Sequence, residues 1–187
     1  MVTRDLVLAA LFAAIIIVLG LLPSIMLGFI PVPITAQSLG VMLAGVVLGA
    51  KRGMIAVLLV LLIAAIGMPV LSGGRGGLAV FAAPTTGYLI GWVAAAFVTG
   101  FLCERLVNRE QAGLVQGVSF FIAALIGGVV VLYAFGITYL ALVTGMGLSK
   151  AFLGSLAFIP GDVLKAVVAA LAGRAVMAGY PLLPQRA

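Results

Sequence analysis

Ala157-Phe-Ile-Pro-Gly-Asp-Val-Leu-Lys-Ala-Val-Val-Ala-Ala-Leu-Ala172 is an apolar run broken by one acid, Asp162, and one base, Lys165. Its length and composition suit a membrane-crossing helix, in which ionisable groups are costly and therefore mark a site. At helical spacing i and i+3 the two side chains lie on one face, a turn apart. A carboxylate accepts hydrogen bonds and an ammonium donates them. Together they suit a neutral ligand group that has both functions, of which a cyclic urea is one. Read singly, each has a plainer role. Asp162 complements the positive end of a helix opened by Pro160, and Lys165 extends its ammonium to the interface.

The rest of the chain supports a membrane reading. Of 187 residues, 65% are apolar and 7% charged, with a mean hydropathy of +1.42, against about 25% charged in soluble domains. About six crossings of roughly 20 residues each fill the chain and leave short loops. The expected fold is all-α: one domain, residues 1–187, forming a polytopic bundle of six transmembrane helices.

Spans are expected near Arg4–Leu22, Ile34–Leu48, Gly53–Ile66, Pro84–Cys103, Leu114 to about Thr144, and Pro160–Ala178, with Lys51 and Arg52 in a tight turn. A short interfacial helix is expected within 145–158. The apolar segment Leu6–Leu22 has a signal peptide's length, but Pro23 and Ser24 follow it instead of a small-residue cleavage pattern, so it reads as a retained first helix. With the N-terminus inside, the cytoplasmic ends collect Arg4, Lys51, Arg52, Arg105, Arg109, Arg174 and Arg186, against Arg75 and Lys150 outside. Both termini are thereby expected in the cytoplasm. The loops 23–33, 67–83 and 145–158 then face outward together with Asp162.

The net charge of +6 reads as topology and contact with anionic membrane lipid. A basic stripe with aromatic platforms is missing, so no nucleic-acid partner is expected. With no His and one Cys, Cys103, the common general base, metal clusters and an internal disulfide drop out. Neither a metal, nor a cofactor, nor an enzyme activity is expected.

Outside the last span, Gly67-Met-Pro-Val-Leu-Ser-Gly-Gly-Arg-Gly-Gly77 has five glycines in eleven residues around Arg75. Glycine permits close approach of backbone to ligand, and Arg75 suits an anionic ligand end, or else is a surface arginine beside a turn. The stretch lacks the G-x-x-x-x-G-K-[ST] pattern of a phosphate loop. Pro84-Thr-Thr-Gly-Tyr88 opens the next helix beside it, with Thr85 also suited to an N-cap. Tyr88 and Trp92, one turn apart, can wall an apolar ring. Gln37 is the one other uncharged polar residue deep enough to matter, its plainer role being a helix-to-helix hydrogen bond. Small residues four apart, Ala9/Ala13, Ala10/Ala14, Gly40/Ala44, Gly45/Gly49 and Gly87/Gly91, allow close helix contact.

Pro31-Val-Pro-Ile-Thr35, the glycine stretch, Pro84-Thr-Thr-Gly-Tyr88 and Phe158-Ile-Pro-Gly-Asp-Val-Leu-Lys165 together resemble the BioY family. Its members are the biotin-specific substrate-binding (S) components of bacterial energy-coupling-factor (ECF) transporters. The resemblance runs from about Leu8 to Ala172. It implies biotin uptake across the bacterial cytoplasmic membrane, with Asp162 and Lys165 on the ureido ring. It also implies that Gly73, Gly74, Gly76, Gly77, Thr85, Thr86 and Tyr88 close the pocket; from its position in the glycine stretch, Arg75 is expected to meet the valerate carboxylate. Helix 1, through Ala9, Ala10, Ala13 and Ala14, is implied to meet a transmembrane coupling subunit (T component), which recruits two cytoplasmic ATPases. The alternative is an ion- or proton-coupled secondary transporter with Asp162 as its titrating group.

Overall fold

The computed structural model describes residues 2–108, 110–180 and 182–183. Arg109 and Arg186, both counted in the charge asymmetry, lie outside the described residues. The chain folds into helices α1 (Thr3–Gly20), α2 (Gln37–Leu48), α3 (Ala50–Ala65), α4 (Thr86–Leu106), α5 (Gly113–Thr144), α6 (Leu148–Ser155) and α7 (Ile159–Gly179). A π-helical turn, Ile126–Val131, interrupts α5, and a 3-10 turn, Leu156–Phe158, runs α6 directly into α7. Four stretches, Thr3–Gly20, Thr86–Leu106, Gly113–Thr144 and Leu148–Gly179, are long and apolar enough to cross a membrane.

α2 is the axis of the bundle. Ten of its twelve residues are buried, and α1, α3, α4, α5 and α7 follow one another around it. An all-round apolar helix such as this has no solvent face to offer, so it belongs at the centre. The outer surface is itself apolar, with Val7, Leu11, Val18, Leu62, Ile90, Leu114, Leu164 and Leu171 exposed, as suits a hydrocarbon solvent.

Several expected boundaries shift, for local reasons. α2 begins at Gln37 and not at Ile34, because Ile34 is tied to Ile25 by a pair of backbone hydrogen bonds of 2.9 and 3.0 Å. α4 begins at Thr86 and not at Pro84, since Thr86 N–H and Oγ1 both bond to Ala83 O in a preceding turn. Lys51 and Arg52 lie inside α3, not in a turn. The turn is the single residue Gly49, whose φ of 83° a side chain would oppose.

At this end the helices are tied together by charge. Arg52 Nε meets Asp5 Oδ1 at 2.8 Å, joining α3 to α1. Ala50 N–H, an orphan donor at the start of α3, donates to Glu104 Oε1 at 2.8 Å. Arg4 Nη2 donates to Tyr180 OH at 2.9 Å, linking the start of α1 to the residue after α7.

The paired small residues set how closely the helices approach. A Cβ on Gly45 or Gly127 would press on Thr99 of α4, and one on Gly87 or Gly91 would press on Tyr139 or Leu132 of α5. α2, α4 and α5 therefore pack nearly backbone to backbone. The opposite end of the bundle, where α1 stops and α2, α4 and α7 start, carries the connections 21–36, 66–85 and 145–158, and here the polar residues converge.

Candidate functional site

Asp162 sits in the first turn of α7 and is buried. Its Oδ1 accepts from Lys165 Nζ at 2.8 Å, and its Oδ2 accepts from Tyr133 OH of α5 at 2.7 Å. Lys165 Nζ also donates to Thr35 O at 2.8 Å and to Ser38 Oγ of α2 at 2.9 Å. All three ammonium protons are thus placed, and the pair is cross-braced to three other elements. A buried ion pair is stable only when its remaining hydrogen-bonding capacity is met in this way. The ammonium is turned into the bundle, and the carboxylate does more than complement the helix end.

The pair forms one wall of a cavity. The connection before α2 contributes Val32 to Thr35, α2 contributes Gln37 and Ser38, the glycine loop contributes Leu71, Ser72 and Arg75, and Thr85 precedes Tyr88, Leu89 and Trp92 of α4. Leu132, Tyr133 and Phe158 complete the lining. The Tyr88 ring lies where a Cβ on Gly136 would stand and meets the Tyr133 ring edge to face at 6.4 Å. Its hydroxyl pairs with Ser155 Oγ of α6 at 3.0 Å. The cavity therefore has an acid–base end, an aromatic and aliphatic body, and a guanidinium.

Arg75 Nε donates to Ser72 O at 3.1 Å and Nη1 donates to Thr85 Oγ1 at 3.3 Å. An arginine has five N–H donors, so among the described residues three remain without a protein acceptor. A carboxylate suits them. The glycines shape this loop and do not line the cavity. Gly73, Gly74 and Gly77 have φ of 77°, 70° and 82°, and a Cβ on Gly76 would collide with Met68 O. Thr86 is also off the wall, its hydroxyl donating to Ala83 O at 2.7 Å and approaching Val80 O at 3.1 Å.

The structure splits the four alanines of α1. Ala9 and Ala13 are 0% and 3% exposed and face into the bundle, whereas Ala10 and Ala14 are on the outer surface. A 3.6-residue helix cannot present all four to one neighbour. Sequence reasoning missed Ser38, Ser72 and Tyr133 as cavity residues. Hydroxyls embedded in the apolar stretches of helices 2 and 5 were the available signal.

The BioY family model matches residues 1–182 of the chain. The chain is 78% identical over 187 residues to a Rhizobium etli protein named Biotin transporter BioY, covering 100% of both. It is 51% identical over 182 residues to the protein of that name from Rhodobacter capsulatus, covering 92% of this chain and 93% of that one. Its fold is similar to the crystal structure of the S-component for biotin from an ECF-type ABC transporter, with a TM-score of 0.90, 36% identity and 97% of each chain covered.

Proposed function

The chain belongs to the BioY family, and on that premise we propose that it is a biotin transporter subunit whose outward cavity binds the vitamin between Asp162, Lys165 and Arg75. It is a multi-pass membrane protein and not an enzyme. The observation that carries the reading is the Asp162–Lys165 pair at 2.8 Å in the wall of a cavity that also holds Arg75.

The chemistry of the ligand fits the two polar ends. A carboxylate offers about four lone-pair sites, so Asp162 keeps acceptor capacity for a ureido N–H after serving Lys165 and Tyr133. The ureido carbonyl accepts a hydrogen bond from Lys165, displacing Ser38 Oγ, which is the neutral one of the ammonium's side-chain acceptors. The fused rings lie against Tyr88, Trp92 and Leu132, and the valerate reaches Arg75. Nanomolar capture, about −12 kcal/mol, spread over roughly 16 heavy atoms is about −0.8 kcal/mol per atom, within the ceiling of about −1.5 for small ligands.

In this reading the bundle makes six crossings of the bacterial cytoplasmic membrane, α6 lies at the outer interface, and both termini are cytoplasmic. The ends joined by Asp5, Arg52 and Glu104 then form the inner face, which agrees with the excess of bases there. Uptake is driven in trans by a transmembrane coupling subunit and two ATPases. The exposed Ala10 and Ala14 offer that subunit close approach, while Ala9 and Ala13 serve the packing of α1 within the bundle.

Titration of the purified protein in detergent, followed by the fluorescence of Trp92, tests the binding directly. Saturable quenching or enhancement by biotin at submicromolar concentration is expected. Arg75→Ala is expected to weaken biotin by roughly 10- to 100-fold, the scale of a charge-assisted contact of about 1.5–3 kcal/mol. It should leave biotin methyl ester nearly unaffected. A wild-type protein that ignores biotin up to millimolar concentration contradicts the function itself.

A further inference from the structure

Gln37 opens α2 one residue before Ser38, and its side chain is fully buried at 1% exposure. Its Nε2 donates to Ile16 O of α1 at 3.2 Å and to Val70 O of the glycine loop at 3.1 Å, and its Oε1 accepts from Ser72 N–H at 2.8 Å. Two carbonyl partners and one N–H partner admit only this orientation of the amide. Gly20 makes the room. A Cβ there would stand 2.7 Å from Gln37 Nε2 and 2.8 Å from Val70 O.

Gln37 itself borders the cavity, with both amide N–H groups and one oxygen lone pair held by protein, and one residue of the loop carries its grip to Arg75. Ser72 gives its N–H to Gln37 and its C=O to Arg75 Nε, and Leu71 and Arg75 close the same turn through mutual backbone hydrogen bonds of 3.0 and 3.1 Å. Within that turn the Ser72 hydroxyl is buried without a partner among the described residues. Five glycines in eleven residues give the loop little conformational preference of its own. Its geometry has to be imposed from outside, and Gln37 makes two of the side-chain hydrogen bonds that reach into it.

We infer that Gln37 is a positioning residue for substrate. By gripping Val70 and Ser72 it holds the Arg75 guanidinium in the register that receives the ligand's carboxylate, and by gripping Ile16 it ties that register to the end of α1. This rests on the biotin reading above and adds to it a division of labour. Gln37 serves the anionic end of the ligand, and the Asp162–Lys165 end is independent of it.

The test compares biotin with biotin methyl ester on wild type, Gln37→Met, Arg75→Ala and the double variant, with thermal unfolding measured alongside. Methionine keeps the length of the side chain and removes its hydrogen bonds. Gln37→Met is expected to weaken biotin roughly 10- to 30-fold, to change the ester less than about 3-fold, and to add almost nothing in the Arg75→Ala background.

Equal losses on both ligands, no loss on either, or full additivity with Arg75→Ala would each overturn the assignment. If Gln37→Met does not fold, Gly20→Ala decides, since it displaces the amide by its Cβ and should give the same selective loss. Failure of the function itself looks different, because wild type would then bind neither ligand.

Discussion

Asp162→Asn is expected to weaken biotin binding by roughly 100-fold, and Lys165→Ala by a similar factor, because each removes a charge-assisted hydrogen bond to the ureido ring of about 1.5–3 kcal/mol and breaks the buried pair that orients the other group. Asparagine keeps the shape and one acceptor for Lys165, but the ammonium then lacks its counter-charge in a dry wall. Alanine at 165 leaves the carboxylate with Tyr133 and Ser38 and deprives Thr35 O of its donor. Tyr133→Phe and Ser38→Ala remove one hydrogen bond each and should cost less, roughly 10-fold for the tyrosine. Isothermal titration in detergent measures all four. If both Asp162→Asn and Lys165→Ala bind as wild type does, these groups do not touch the ligand.

The second large effect concerns assembly and not binding. A Cβ on Gly100 of α4 would collide with Gly49 C and Ala50 N, backbone atoms at the one-residue turn from α2 into α3. No side chain can rotate aside there. Overpacking typically costs about 1–3 kcal/mol and more when backbone must move. For a domain of this size, each kcal/mol shifts Tm by about 2–4 °C. Gly100→Ala is therefore expected to lower the unfolding temperature by roughly 10 °C. Gly117→Ala on α5, where the nearest atom is Arg174 Cδ at 3.9 Å, should instead raise it slightly by removing a helical glycine. A Gly100→Ala protein as stable as wild type means that α4 does not approach the turn this closely.

The contrast between those two glycines shows what a sequence can and cannot disclose. Composition announced a membrane bundle, and the solitary acid and base in the last apolar run stood out because hydrocarbon makes charge conspicuous. Tyr133 and Ser38 carry no such signal. A hydroxyl in a helix is unremarkable until the fold sets it opposite a carboxylate 29 or 124 residues away. The glycine loop was legible as a special backbone, but not the division within it, in which the glycines bend the chain and Leu71, Ser72 and Arg75 face the cavity. The start of α2 was misplaced because Ile34 looks helical by composition and is held extended by Ile25, a partner that periodicity does not reveal.

The π-helical turn at Ile126–Val131 lies immediately upstream of Leu132 and Tyr133. A wider turn of this kind absorbs one surplus residue, and each residue of an ordinary helix accounts for about 100° of rotation. The azimuth at which Tyr133 leaves the helix is therefore offset from the one that the first half of α5 would dictate. Deleting a single valine from 129–131 would restore regular winding and keep the composition almost unchanged. It would leave the phenol aimed at Asp162, whereas regular winding with every residue kept would turn it about 100° away, so the wide turn is what lets this helix carry an extra residue without losing recognition.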